Sequence, residues 1–331
     1  NETWKGCEGM ITASKNYELE SVEMRQVYAN TLMEMAKANP QVIGLEADLM
    51  SAISTNKIIK EIPNQLINTG IMEANMMGVA AGLSLTGRIP FVHTFGQFAT
   101  RRAFDQLFIS GAYAKTNIKI LGSDSGVTAE HNGGTHMAFE DLGLVRLIPN
   151  CHVYEVSDST MLRYLLQKVE KEHGIHYIRT IRKNAVKLYP ENEVFEARKG
   201  KVLRDGEDVT IIASGIMVAE SLKAADILQQ QGIKAAVIDM FTIKPIDKDL
   251  IVKYAQKTKA IVTAENHNVI GGLGSAVAEV LSEHCPTPMK RIGVKEQFGQ
   301  VGKLEYLKEF YQLTASDITS AVDEVVRTKK D

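Results

Sequence analysis

Short apolar, β-branched runs alternate with segments of helical spacing along most of the chain. The runs VIGLEADL (42–49), QLINTG (65–70), RIPFVHTF (88–95), IKILGSD (118–124), CHVYEVS (151–157) and HYIRTI (176–181) predict strands. Helix-like patterns lie between them near 21–38, 72–86, 97–113, 137–146 and 158–172. This order predicts an α/β fold whose mostly parallel sheet is covered on both faces. Residues 186–206 break the pattern with many charges, one Pro and two Gly, and read as a linker. Alternation resumes at VTIIASG (209–215), KAAVIDM (234–240), AIVTAEN (260–266) and MKRIGV (289–294), predicting a second, smaller α/β domain. The expected organisation is an N-terminal extension (1–19) with no assigned role, a first domain (20–185), the linker (186–206) and a second domain (207–331).

The length of 331 residues agrees with two domains at about 150 residues each. Lys plus Arg number 38 and Asp plus Glu 40, a net charge of −2, which argues against a nucleic-acid binder. No apolar run approaches the roughly 18 residues of a membrane span, and the N-terminus lacks an apolar signal core. Cys7, Cys151 and Cys285 are too few and too far apart for a disulfide framework or a zinc site. A reducing cytoplasm is the expected location.

Four stretches carry candidate chemistry. In GIMEANMMGVAAGLSLTG (70–87), Glu73 is the one acidic residue and no basic residue occurs. A carboxyl at a helix start in apolar surroundings would be desolvated, stay protonated and donate a hydrogen bond. The plainer reading is an acid favoured by the helix dipole in the first turn. In FVHTFGQFATRRAFDQ (91–106), Phe95 and Phe98 sit at a strand's C-terminal end, where open α/β sheets bind ligands and two rings could hold a flat heterocycle. The plainer reading is core packing. The polar, glycine-rich GSDSGVTAEHNGGTH (122–136) follows a strand and holds Asp124, Glu130, His131, Asn132 and His136. His131 and His136 lack helical metal-pair spacing and a third ligand, so a catalytic or substrate-binding His fits better than a metal site, with a surface role open for His131. GGLG (271–274) lacks the third glycine and the later acid of a dinucleotide fingerprint, and a tight turn explains it.

Taken together, these stretches resemble the C-terminal half of transketolase over roughly residues 20–328, most closely the split enzymes made by two chains. GIMEANMMGVAAGLSLTG is similar to the family's glutamate segment, TFGQFATRRAFDQ to its pyrimidine pocket, NGGTH to its substrate loop and AENHNVIGGLGSAVAEVL to its C-terminal domain. The resemblance implies a thiamine-diphosphate-binding, pyrimidine-type domain followed by a transketolase C-terminal domain. It implies transfer of a two-carbon ketol unit from a ketose to an aldose. The diphosphate and its Mg²⁺ or Ca²⁺ would be bound through a GDG…N motif; no GDG occurs here, so a partner subunit is expected to supply it, in an α2β2 assembly. Glu73 would hydrogen bond the pyrimidine ring nitrogen and favour the tautomer in which the neighbouring nitrogen acts as internal base. Phe95 and Phe98 match the stacking aromatics, Arg101 stands where a third aromatic is usual, and Asp48 matches an acid near the cofactor. His136 matches a histidine at the ketose end of the donor. Arg25 and Arg182 match the two arginines that hold substrate phosphate.

The sequence departs from the family at that anion site. Ala52 falls near its serine position, Asp124 replaces its histidine and Asn132 replaces an aspartate that reads an acceptor hydroxyl. A phosphate monoester carries about −1.5 to −2 charge at neutral pH. A sulfonate carries one. The substrate is therefore expected to lie outside the standard pentose-phosphate set, as a sulfonated or branched ketose; the counter-reading is compensation by backbone or partner groups. Competing functions are the β subunit of a 2-oxoacid dehydrogenase E1 component, a non-catalytic assembly partner and deoxyxylulose-phosphate synthase.

Overall fold

A computed structural model describes residues 17–329. Most of the proposed extension and Cys7 lie outside the described residues. Six strands of the first domain fall on the predicted runs: β1 (Val42–Glu46), β2 (Leu66–Asn68), β3 (Ile89–Phe95), β4 (Lys119–Ser123), β5 (Cys151–Glu155) and β6 (Ile175–Arg179). The second domain holds β7 (Lys201–Arg204), β8 (Val209–Ala213), β9 (Ala235–Asp239), β10 (Thr242–Lys244), β11 (Ile261–Asn268) and β12 (Met289–Val294). The strands β1, β4 and β6 are buried at every residue because helices cover both faces, so they read as unbroken runs rather than as alternation.

The first sheet has the order β10-β5-β6-β4-β3-β1-β2 and is parallel except for β10. The second has the order β12-β11-β8-β9-β7, parallel except for β7. Two features correct the sequence reading. The segment read as linker ends in β7, which pairs with β9. The unpredicted β10 leaves its own domain to pair antiparallel with β5. Both are three- or four-residue edge strands whose pairing is set by distant partners rather than by a local pattern.

Helices pack as amphipathic covers. Met24–Ala38 buries Met24, Val27, Tyr28, Leu32 and Met35 at helical spacing. Ser159–Glu170 is capped by Asp158, which accepts from the Met161 amide at 2.9 Å. The expected continuous helix over 97–113 is instead a π-helical Phe98–Arg102, a short α-helical turn Phe104–Gln106 and a second π-helical stretch, Leu107–Tyr113. Such widened turns recur at functional sites. This one sits directly after β3 and sets the directions of Phe98, Arg101 and Arg102.

Arg179 joins the two domains. It is fully buried and its Nε donates to Asp141 at 2.8 Å, its Nη1 meets Glu155, and its Nη2 donates to the carbonyls of Ala138 at 2.8 Å and Asn266 at 2.9 Å. With two carboxylates and two carbonyls, most of the guanidinium's donors are satisfied, as burial of a charge requires.

Candidate active site

The strands β6, β4, β3 and β1 are neighbours, and the residues at or just past their C-terminal ends face one region, as in other open parallel sheets. Glu73 opens the helix Glu73–Leu85 and is 2% exposed. Its Oε1 accepts from Arg102 Nη1 at 2.8 Å, and its Oε2 is buried without a partner. The sequence placed this carboxyl in apolar surroundings; the structure brings a guanidinium against it. Arg102 is the functional candidate that sequence reasoning missed. The available signal was the pair of adjacent arginines in TRRAF, and the π-helical turn separates their fates.

Phe95 ends β3 and Phe98 begins the π-helical turn, with ring centroids 6.0 Å apart. The Arg102 guanidinium carbon lies 3.9 Å from the Phe98 centroid, a cation–π contact. His136 meets both rings edge-on, at 5.8 Å from Phe95 and 5.3 Å from Phe98. Phe95, Phe98 and His136 thus converge, and Arg102 ties Glu73 to the Phe98 ring. Arg101 instead pairs with Glu140 at 2.7 Å, and the exposed Asp48 is bound to Asn68 at 3.3 Å. Among the described residues neither shares a hydrogen bond, ion pair or ring contact with Glu73 or the two phenylalanines.

A cavity of about 200 Å³ lies beside this cluster and is lined by Arg25, Arg182, Asp124 and Asn132, with Lys183 and Glu130. Arg182 bridges the two regions, because its guanidinium also stands 4.9 Å from the Phe95 centroid. Each cation here has a carboxylate partner. Arg25 Nε is 2.6 Å from Glu23, Arg182 Nε is 2.6 Å from Asp124, and Lys183 meets Glu130. Burial pushes the Asp124 carboxyl above the usual carboxylate range, against the opposing pull of Arg182. Ala52 lies in the short helix Met50–Ile53, outside the cavity lining.

The second domain braces the loop that carries Asn132 and His136. Asn266 accepts from the Val127 amide at 3.0 Å and donates to the Ser125 carbonyl at 2.8 Å. Gly126 has φ +49°, and a Cβ there would lie 2.2 Å from Asn266 Oδ1, so only glycine fits this approach. Glu130 Oε1 accepts from the Leu304 amide at 3.1 Å. The GGLG turn has a different task. Glu265 accepts from the Leu273 and Gly274 amides at 2.7 and 2.8 Å, filling the helix N-terminus with an internal carboxyl whose burial lifts its pKa to about 8. Those amides are therefore committed inside the fold.

The orphaned buried Oε2 of Glu73, linked through Arg102 to the Phe98 ring and its neighbour Phe95, fits a flat heterocycle with a hydrogen-bonding edge. The family model for the transketolase pyrimidine-binding domain matches residues 20–187, and that for the transketolase C-terminal domain matches 198–318. The chain belongs to the transketolase family. It is 48% identical over 312 residues to the 6-deoxy-6-sulfo-D-fructose transketolase subunit SqwH of Clostridium sp. (strain MSTE9), covering 94% of this chain and 97% of that protein. It is 38% identical to a putative transketolase C-terminal section of Methanocaldococcus jannaschii, covering 92% and 96% of the two chains. A solved structure described as a split gene transketolase, inactive beta4 tetramer, superposes with a TM-score of 0.85 at 42% identity, over 93% of this chain and 99% of that one. Membership in this family implies thiamine diphosphate as cofactor and group transfer as the reaction class. No helix among the described residues is long and apolar enough to cross a membrane.

Proposed function

We propose that this chain is the C-terminal subunit of a two-chain transketolase that moves a two-carbon ketol unit from a sulfonated ketose to an aldose. The observation that carries the substrate class is the pairing of Arg182 with the buried Asp124 at 2.6 Å. Together with Arg25–Glu23 and Lys183–Glu130, it gives every arginine and lysine that lines the cavity among the described residues a carboxylate partner. A cavity so compensated offers less to a phosphate dianion than to a single negative charge. The name borne by the Clostridium relative supports the same assignment. The family relation and the cavity arginines weigh against the β subunit of a 2-oxoacid dehydrogenase, whose substrate has no anionic sugar tail.

When bound, thiamine diphosphate supplies the carbanion-stabilising chemistry for breaking and re-forming a carbon–carbon bond beside a ketone. In this reading Glu73 would hold the cofactor's pyrimidine ring nitrogen through Oε2, and Phe95 and Phe98 would pack against that ring. His136, in contact with both rings, orients the ketose hydroxyls and steadies charge at the carbonyl oxygen. Arg182 and Arg25 hold the anionic tail, and Asn132 reads a hydroxyl of the acceptor. Arg101 and Asp48 would act from the margin of the cofactor site, through Glu140 and Asn68. A partner subunit carries the diphosphate- and metal-binding half, and two copies of each chain would complete two sites.

The test is a panel of donors offered to the complex reconstituted with its partner. 6-Deoxy-6-sulfofructose is expected to be used with a higher kcat/KM than xylulose 5-phosphate or fructose 6-phosphate. Phosphate donors used equally well or better would overturn the assignment.

A further inference from the structure

A buried line of polar groups runs from the core of the first sheet to the cavity wall. Glu46 on β1, His93 on β3 and Ser123 on β4 are each at most 1% exposed. His93 Nδ1 lies 2.7 Å from Glu46 Oε2, and His93 Nε2 lies 3.0 Å from Ser123 Oγ. Ser123 Oγ donates to Asp124 Oδ2 at 3.2 Å, and the same Oδ2 is 2.6 Å from Arg182 Nε. Thr55 closes the far end by donating to Glu46 Oε1 at 2.8 Å. The order carboxylate, imidazole, hydroxyl is that of a nucleophilic triad. Here all three groups are buried, so the serine is not presented to a substrate, and the hydrogen bonds along the line offset the cost of burying them.

Ser123 has one proton and two neighbours able to take it. With hydrogens on both nitrogens, His93 donates to Glu46 and to Ser123, and the serine proton is free for Asp124. Without a hydrogen on Nε2, that nitrogen takes the serine proton and Asp124 loses a donor. The groups facing His93 are Glu46, Ser123 and the ring of Tyr28, 5.9 Å away, with Asp124 and Arg182 behind the serine. Asp124 sits in the left-handed backbone region at φ +59°, and its carboxyl oxygen meets Ser123 and Arg182.

We propose that Glu46, His93 and Ser123 form a positioning relay that holds Asp124 as an anion opposite Arg182, and so sets the charge with which the cavity meets the substrate's tail. The relay makes tail selectivity, rather than bond cleavage, the property that responds to these buried residues. It rests on the reading of this cavity as the tail site.

The experiment uses the reconstituted complex with wild-type, Ser123→Ala and Asp124→Asn chains. Three donors are compared: the sulfonated ketose, its phosphate counterpart and erythrulose, which has no anionic tail. Loss of one hydrogen bond to a charged group should move the phosphate-to-sulfonate ratio of kcat/KM toward phosphate by about tenfold in Ser123→Ala. The erythrulose kcat/KM should stay within about twofold of wild type. Ser123→Ala should add nothing further in the Asp124→Asn background, because both act through one carboxylate. An unchanged ratio in Ser123→Ala, or an equal loss on all three donors, would overturn the relay. If wild type already prefers phosphate, the tail reading fails on its own. The relay then stands or falls on whether Ser123→Ala lowers KM for the phosphate donor. Ser123→Cys, which keeps the volume with a weaker donor, is read in the same way should Ser123→Ala not assemble.

Discussion

Replacing Glu73 by Gln separates cofactor binding from proton handling, and the outcome follows from the donors around the carboxyl. Arg102 donates to Oε1 at 2.8 Å and has no acceptor to offer. The glutamine carbonyl must therefore face Arg102, which points the amide nitrogen to the position of the orphaned Oε2. A donor then stands where a proton-sharing oxygen stood. It can still hydrogen bond a bare ring nitrogen, so cofactor affinity in the assembled complex should fall by no more than about tenfold, the worth of one ordinary hydrogen bond. Turnover should drop by about 10²- to 10⁴-fold, the range for a positioned acid–base group. Calorimetric titration of the cofactor gives the first number and a coupled ketol-transfer assay at saturating cofactor the second. A Gln variant that retains more than a tenth of wild-type turnover would refute the reasoning. A variant that loses cofactor binding altogether would show that Glu73 holds the pocket together rather than handling a proton.

Two further outcomes test the scaffold. Arg179→Met strands Asp141 and Glu155 as buried carboxylates and should cost about 3–5 kcal/mol, seen as a large drop in the denaturant midpoint; a loss under about 1 kcal/mol would contradict the bridging role. His176 is buried between Lys119 and His152, and burial first, then the charge of Lys119 and the neighbouring imidazole of His152, pushes its pKa from 6.5 to about 2. The unfolded chain takes up this proton near pH 6.5 and the folded chain only near 2, so its contribution is full above 6.5 and is lost as pH falls from there toward 2. His176→Phe should therefore lose less stability than wild type between pH 7.5 and 5 in urea titrations; parallel losses would contradict that assignment.

The first sheet was legible because its central parallel strands are covered on both faces, and the runs of β1, β4 and β6 are buried at every residue. The strands β7 and β10 were not, since four and three residues carry no period and their pairing is decided by β9 and β5. At the site, the residue types of Glu73, Phe95, Phe98 and His136 were readable; the fold brings the two rings and His136 into contact and reaches Glu73 only through Arg102. Arg101 and Arg102 could not be told apart by position. Only the π-helical turn sends one to Glu140 and the other to Glu73. The compensation of Arg182 was also out of reach, because it depends on a left-handed backbone at Asp124 and on a contact between β4 and the residues after β6.

The pairing of β10 with β5 decides how this chain can be taken apart. Severing it near residue 206, where composition suggests a boundary, would strip the outermost strand from the first sheet and bare the backbone of Cys151–Glu155. A naked strand of that kind invites pairing with a neighbouring molecule. The amino-terminal portion is thus not a removable module, and attempts to prepare it alone should yield sticky material unless residues 242–244 travel with it.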